Sequence, residues 1–248
     1  MSGVPLYSSP QHKWIAEAAG GDPEREQALL TRWKAGEPLQ YVLGRWGFMN
    51  LDLAVDRRAL IPRPETEILV EVALRLSPVP QRVLDLGTGS GAIVLVVAAA
   101  CPDAEVWTVD ASADALALAR ANDTAGVLKL LEGEWYSPLS PELAGGFDLI
   151  VSNPPYVSEA EFDDLDAVVR EWEPKAALVS GPSGLECLQQ VIEGAPQWLA
   201  PGGVVALECA PHQAEEVVAL CERFGFEEAR VHDDLAERAR VVSANTRP

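Results

Sequence analysis

Apolar residues recur along this chain in two rhythms, and the change from one to the other divides it. Over 26–34 they fall at helical spacing, with Leu29, Leu30 and Trp33 forming one stripe, and Gly36-Glu37-Pro38 closes the element. Residues 39–55 alternate poorly but carry Tyr41, Trp46 and Phe48, which predicts a short hairpin. The proline-flanked loop Leu60-Ile61-Pro62-Arg63-Pro64 then leads into a helix over 65–76. Beyond Ser77-Pro78-Val79-Pro80, compact apolar runs alternate with helical segments. Strands are predicted at 82–86, 105–109, 127–131, 147–152 and 203–209, and helices at 90–101, 112–122, 185–199 and 212–224. Two closing strands lie within 227–245, joined near 233–236. Repeated strand–helix units of this kind predict an α/β fold with a doubly wound, mostly parallel sheet of seven strands. The resulting division is a helical N-terminal segment at 1–36, a linker with a hairpin at 37–78, and the sheet domain at 79–248.

Length and composition fit that division. A chain of 248 residues with 48% hydrophobic content can fill one large core and carry a small appendage. The most apolar run, 92–101, is shorter than the ~18 residues of a membrane span and reads as a buried helix. The first eleven residues lack a basic stretch followed by an apolar core, so no secretory signal is expected. Cys101, Cys187, Cys209 and Cys221 have neither metal-ligand nor Cys-x-x-Cys spacing, and His12, His212 and His232 are scattered. Free thiols, a cytoplasmic location and no metal site are the expectation. The formal net charge of −19 is unevenly placed: residues 1–82 carry ten basic and ten acidic residues, and 83–248 carry nine against twenty-eight. Such a surface argues against nucleic acid and favours a basic protein partner. No membrane association is expected, and the protein is expected to be a monomer.

Two stretches carry chemistry. Asp85-Leu86-Gly87-Thr88-Gly89-Ser90-Gly91 ends the first sheet strand and opens a helix, where glycines permit a tight turn and let a ligand approach the amides of the helix start. Asp110 closes the next strand, at the place where a carboxylate accepts both hydroxyls of a ribose. The spacing Gly87-x-Gly89-x-x-Ala92 also satisfies a dinucleotide fingerprint, so a nicotinamide dehydrogenase competes on this evidence. The second stretch, Asn153-Pro154-Pro155-Tyr156, follows the apolar run 147–152. Its prolines lack N–H groups and hold Asn153 and Pro154 extended. The Asn153 side-chain oxygen and the Pro154 carbonyl then form two fixed acceptors with few competing donors, suited to both hydrogens of a planar –NH2 group. The same residues also read as an ordinary strand-ending turn. In a doubly wound sheet the first and fourth strands lie side by side across the order reversal, so both loops are expected to share one crevice. A ribose-bearing donor beside a clamped –NH2 reads as methyl transfer, with Tyr156 walling the pocket or capping the core.

Asp-x-Gly-x-Gly-x-Gly followed by Asn-Pro-Pro-Tyr resembles the S-adenosylmethionine-dependent amino methyltransferases. Ile61-Pro62-Arg63-Pro64-Glu65-Thr66-Glu67, preceded by Gly36-Glu37-Pro38-Leu39-Gln40-Tyr41 and followed by Asp234-Leu235-Ala236 and Arg240-Val241-Val242, is similar specifically to the release-factor glutamine methyltransferases. The resemblance implies a class I methyltransferase, Rossmann-like domain whose helical N-terminal segment is shorter than in the family. It implies S-adenosylmethionine as cofactor, S-adenosylhomocysteine as product, and the Gly-Gly-Gln glutamine of peptide chain release factors as methyl acceptor. Carried over by position, Gly87, Thr88, Gly89, Ser90, Gly91, Asp110 and Asn153 bind the cofactor and Trp135 flanks its adenine. Asn153, Pro154, Pro155 and Tyr156 hold the glutamine, with Asn153, Pro154 and Tyr156 in the catalytic role. Another protein glutamine, adenine in nucleic acid, or cofactor binding without transfer are the competing expectations. Arg63, Glu65 and Glu67 also admit the plainer reading of a solvated helix start.

Overall fold

A computed structural model describes residues 9–247. Helix α1 (Pro10–Ala19) and helix α2 (Pro23–Lys34) each begin on proline, and the Asp22 side chain caps α2 by accepting the Glu24 and Arg25 amides. With the short α3 (Leu39–Leu43) they bury Ile15, Ala19, Leu29 and Val42 in a small cluster of their own. The helix α3 lies where only a hairpin was expected; the hairpin itself, β1 (Arg45–Phe48) and β2 (Leu51–Ala54), begins after Gly44 ends the helix in a left-handed conformation. The part of the expected N-terminal segment at residues 1–8 lies outside the described residues.

Helix α4 (Pro64–Leu76) leads into the main sheet. Its first unit is β3 (Arg82–Leu86), α5 (Ala92–Ala100), β4 (Glu105–Asp110), α6 (Ala113–Asn122) and β5 (Leu128–Glu132). β6 (Phe147–Ser152) follows, then β7 (Val157–Ser158), α7 (Glu159–Phe162), α8 (Ala167–Trp172) and β8 (Val179–Gly181). The chain closes with α9 (Glu186–Trp198), β9 (Leu199–Glu208), α10 (Ala214–Arg223), β10 (Glu227–Asp233) and β11 (Ala239–Asn245). The seven-stranded sheet has the order β10-β11-β9-β6-β3-β4-β5, parallel from β9 to β5 and antiparallel through β11 and β10. One face packs on α4, α5 and the hairpin through Leu69, Val70, Val97 and Phe48, and the other on α9 and α10 through Leu188, Ile192, Val217 and Phe226. The strands are therefore covered on both sides, which is why β3 and β6 read as mostly apolar runs, interrupted by Asp85 and Asp148.

The reversal of strand order falls between β3 and β6. Leu86 pairs with Ser152 on one side and with Val109 on the other, so the residues that follow, Gly87, Asp110 and Asn153, leave the sheet together. The Ser152 hydroxyl donates to the Leu86 carbonyl at 2.6 Å and binds the two strand ends. No helix among the described residues is long and apolar enough to cross a membrane.

Candidate active site

A cavity of about 550 Å³ opens over these strand ends, within the size range of small-molecule sites. Its floor is made by Gly87, Thr88, Gly89 and Ser90, one wall by Asp110 and Ala111, another by Trp135, and a third by Asn153 and Pro155. The two motifs that sequence spacing assigns to one crevice thus line one cavity.

The glycine loop is shaped by its own hydrogen bonds. Gly87 and Gly89 adopt φ of +78° and +54°, conformations a side chain with Cβ resists. The Gly87 and Thr88 amides donate to the Val109 carbonyl, and the Gly89 amide donates to Asp110 Oδ2 at 2.9 Å. Most amides expected to meet a ligand are therefore committed to β4, and the glycines instead shape the floor. Gly91 does not line the cavity. Its left-handed φ of +82° favours glycine, and a Cβ there would also lie 3.3 Å from Leu95 and 3.4 Å from Ala119 of α6.

Asp110 accepts a second amide, from Ser112 at 2.9 Å, and is held in one orientation with lone pairs left over. Burial raises its pKa, and the two amides oppose that rise. Behind it, Asp85 is fully buried and pushed up to about 7 by desolvation, with the Thr88 and Thr108 hydroxyls opposing and the Asp110 charge adding. Trp135 reaches the cavity from a left-handed backbone position, φ +46°, that disfavours L-residues by about 1–2 kcal/mol. Its indole N–H donates to Gln190 Oε1, another lining residue.

The proline corner divides its residues. Asn153 is half-buried and its Nδ2 donates to Thr66 Oγ1 at 3.1 Å, which leaves Oδ1 as the free acceptor. Pro155 lines the cavity, whereas Pro154 is buried and does not. Of its two expected places, pocket wall and core cap, Tyr156 takes the second. Its hydroxyl turns inward and donates to Glu208 Oε1 at 3.1 Å, while its ring packs on the core beneath α9. Both burial and the Glu208 charge raise its pKa.

The cavity has a roof that sequence reasoning did not find. The segment carrying Ala59 to Arg63 and the segment carrying Pro174 to Ala177 meet above it. Glu173, buried, joins them: one oxygen takes Arg63 Nη2 at 2.5 Å and the other takes the Ile61 amide at 3.1 Å. Arg63 is thus a structural pin, not a solvated first-turn charge. Glu67 accepts the Met49 amide at 2.7 Å and anchors the hairpin, while Glu65 approaches Arg238 at 3.6 Å on the surface. Glu173 gives no sequence signal, since it stands in a polar stretch. Glu208 does give one, an acid closing the apolar run of β9.

A family model described as "Methyltransferase small domain" matches residues 64–175. The chain is 43% identical over 202 residues to the release factor glutamine methyltransferase of Geobacter sulfurreducens, covering 81% of this chain and 70% of that protein. It is 42% identical over 230 residues to the release factor glutamine methyltransferase of Bordetella pertussis, with 89% and 83% covered. Among solved structures, a methyltransferase from Pyrococcus furiosus aligns with a TM-score of 0.60 at 19% identity, covering 91% of this chain and 100% of that one, a likeness of fold.

Proposed function

The chain belongs to the release factor glutamine methyltransferase family, and on that premise we propose that it methylates the side-chain amide nitrogen of the Gly-Gly-Gln glutamine of peptide chain release factors, using S-adenosylmethionine. The observation that carries this reading is the orientation of Asn153, whose nitrogen is tied to Thr66 and whose oxygen is left as an acceptor on the same cavity as Asp110 and the glycine loop.

The residues present fit the cofactor. Asp110 offers a fixed carboxylate for the ribose hydroxyls, Trp135 a flat apolar face for adenine, and Gly87 to Ser90 a floor without bulky side chains. Bound there, S-adenosylmethionine supplies an electrophilic methyl group and leaves as S-adenosylhomocysteine.

The acceptor is the difficult partner, because an amide nitrogen delocalises its lone pair. Asn153 Oδ1 takes an amide hydrogen, orients the nitrogen and favours the positive charge that develops on it during attack. No general base has to act first, since the proton leaves once that charge has formed. The roof pinned by Arg63 and Glu173 limits water around the reacting groups. The net charge of −19 suits a basic protein substrate. A cytoplasmic monomer with free thiols completes the reading.

The test is incubation of the chain with methyl-labelled cofactor and purified release factors that carry either Gln or Ala in the Gly-Gly-Gln loop. Label is expected only in the Gln form. Label in nucleic acid or in another protein, with none in release factor, would overturn the assignment.

A further inference from the structure

We infer that Tyr41 is a positioning residue for the cofactor: its hydroxyl, bonded to the Ala59 carbonyl, fixes the roof of the cavity from the side of the N-terminal helices, an assignment that rests on the cofactor reading above. It gives the motif Gly36-Glu37-Pro38-Leu39-Gln40-Tyr41 a part in that site. The other task for a small helical appendage is to dock the protein substrate, and kinetics separates the two.

The roof has to be held closely, because it stands over the glycine floor. A Cβ built on Gly89 would lie 3.7 Å from the Ala59 side chain, an ordinary contact distance, so at this point roof and floor are within a methyl group's reach of each other. Ala59, Leu60 and Ile61 all line the cavity. Glu173 holds the far end of this stretch, at Ile61 and Arg63. At the near end the holding group is Tyr41, whose hydroxyl donates to the Ala59 carbonyl at 2.7 Å.

Tyr41 is itself fixed by the helices behind it. It lies in α3, 3% exposed, in a cluster with Val55, Ile61, Trp46 and Trp172. Arg32 of α2 donates to the Tyr41 carbonyl at 3.0 Å and grips the buried Glu37 carboxylate through Nε, at 2.8 Å, and through Nη2. Helix α3 has only five residues, too few to persist alone, so this clasp sets where the phenol points. Burial, and after it the Glu173 charge, raises the Tyr41 pKa, so the hydroxyl keeps its proton and stays a donor. The roof is thus clamped from two sides, by Glu173 and by Tyr41. Deleting the Tyr41 hydroxyl leaves the carbonyl of the buried Ala59 without its donor, which favours displacement of the residue over the floor.

The experiment compares the wild type with Tyr41→Phe and Arg32→Met by calorimetric Kd for S-adenosylmethionine and S-adenosylhomocysteine, by kcat and KM for full-length release factor, and by thermal melting. Phe keeps the ring and deletes the donor; Met keeps the stem of Arg32 and releases the clasp. Both are expected to weaken the two Kd values by about 5- to 10-fold, the scale of one buried hydrogen bond. At saturating cofactor, kcat and the KM for release factor should stay within about threefold of wild type. A tyrosine that served folding alone would lower the number of sites titrated and leave the Kd of the folded fraction unchanged. Wild-type cofactor Kd in either variant overturns the positioning role, as does a raised KM for release factor with cofactor affinity intact, the signature of docking. A wild type that binds neither S-adenosylmethionine nor S-adenosylhomocysteine overturns the cofactor reading itself, and this inference with it.

Discussion

Asn153→Ala deletes the acceptor that the proline corner shows to the cavity and leaves the glycine floor and Asp110 as they are. Single-turnover methylation is expected to slow by about 10²- to 10³-fold, the range for removing one preorganised polar contact to a developing charge, while calorimetric cofactor affinity stays nearly unchanged. A variant that methylates at the wild-type rate would remove the clamp from the mechanism. Asp85 makes a different prediction, in stability. Its folded pKa of about 7 lies above its ordinary value near 4, so the folded chain keeps this proton longer than the unfolded one. Between those values the unfolded state binds fewer protons, and stability falls as pH rises from about 4 to about 7, then levels. The span of about three pH units corresponds to on the order of 4 kcal/mol. Asp85→Asn should flatten that part of a urea-denaturation profile taken against pH; an unchanged slope would show that other groups set it. Asp110 and Asn153 were legible because each stands at the end of an apolar run. Thr66 was not, because its hydroxyl matters here through Asn153, 87 residues away, and spacing carries no record of that.

Among the elements, α9 shows how tightly the cavity wall is supported. A Cβ on Gly194 would lie 2.4 Å from the ring of Tyr136, which is stacked 6.1 Å from Trp198 and donates its hydroxyl to the Val191 carbonyl at 2.7 Å. The ring is held on both sides and cannot step back. Gly194→Ala gains up to ~1 kcal/mol of helix propensity, against ~1–3 kcal/mol for overpacking. The clash wins, so a lower melting temperature is expected, with weaker cofactor binding because Trp135 precedes the displaced ring. A more stable variant would contradict the packing described. Element reading from sequence succeeded where burial is two-sided: β3 and β6 lie at the expected residues, and α4 and α6 differ by a single position at the start. It missed α3, β7, α7, α8 and β8, all six residues or fewer. Elements so short are decided by tertiary contacts, such as the pairing of Val157 with Val179, and not by periodicity.

At the scale of the molecule, the sheet order brings three loops together and the Arg63–Glu173 pair closes them over. Glu173→Ala leaves the Arg63 guanidinium and the Ile61 amide unpaired. A fully buried pair broken in this way costs ~3–5 kcal/mol, and the partial exposure of Arg63, 29%, reduces that to about 1–3 kcal/mol. Chemical denaturation should show the loss, and equilibrium dialysis should show cofactor affinity weakened by about tenfold as the roof loosens. Intact affinity would mean that the roof is irrelevant to binding. Doubly wound topology was legible from the alternation of strand and helix, whereas the roof was not, because it joins segments 110 residues apart through one buried acid. The residue at the opposite wall adds a practical consequence. Of the seven tryptophans, Trp135 alone lines the cavity, so seating an adenine against it should dim and shift its emission in proportion to occupancy. The enzyme carries an intrinsic optical gauge, and Trp135→Phe should silence that response without dyes, labels or a turnover assay.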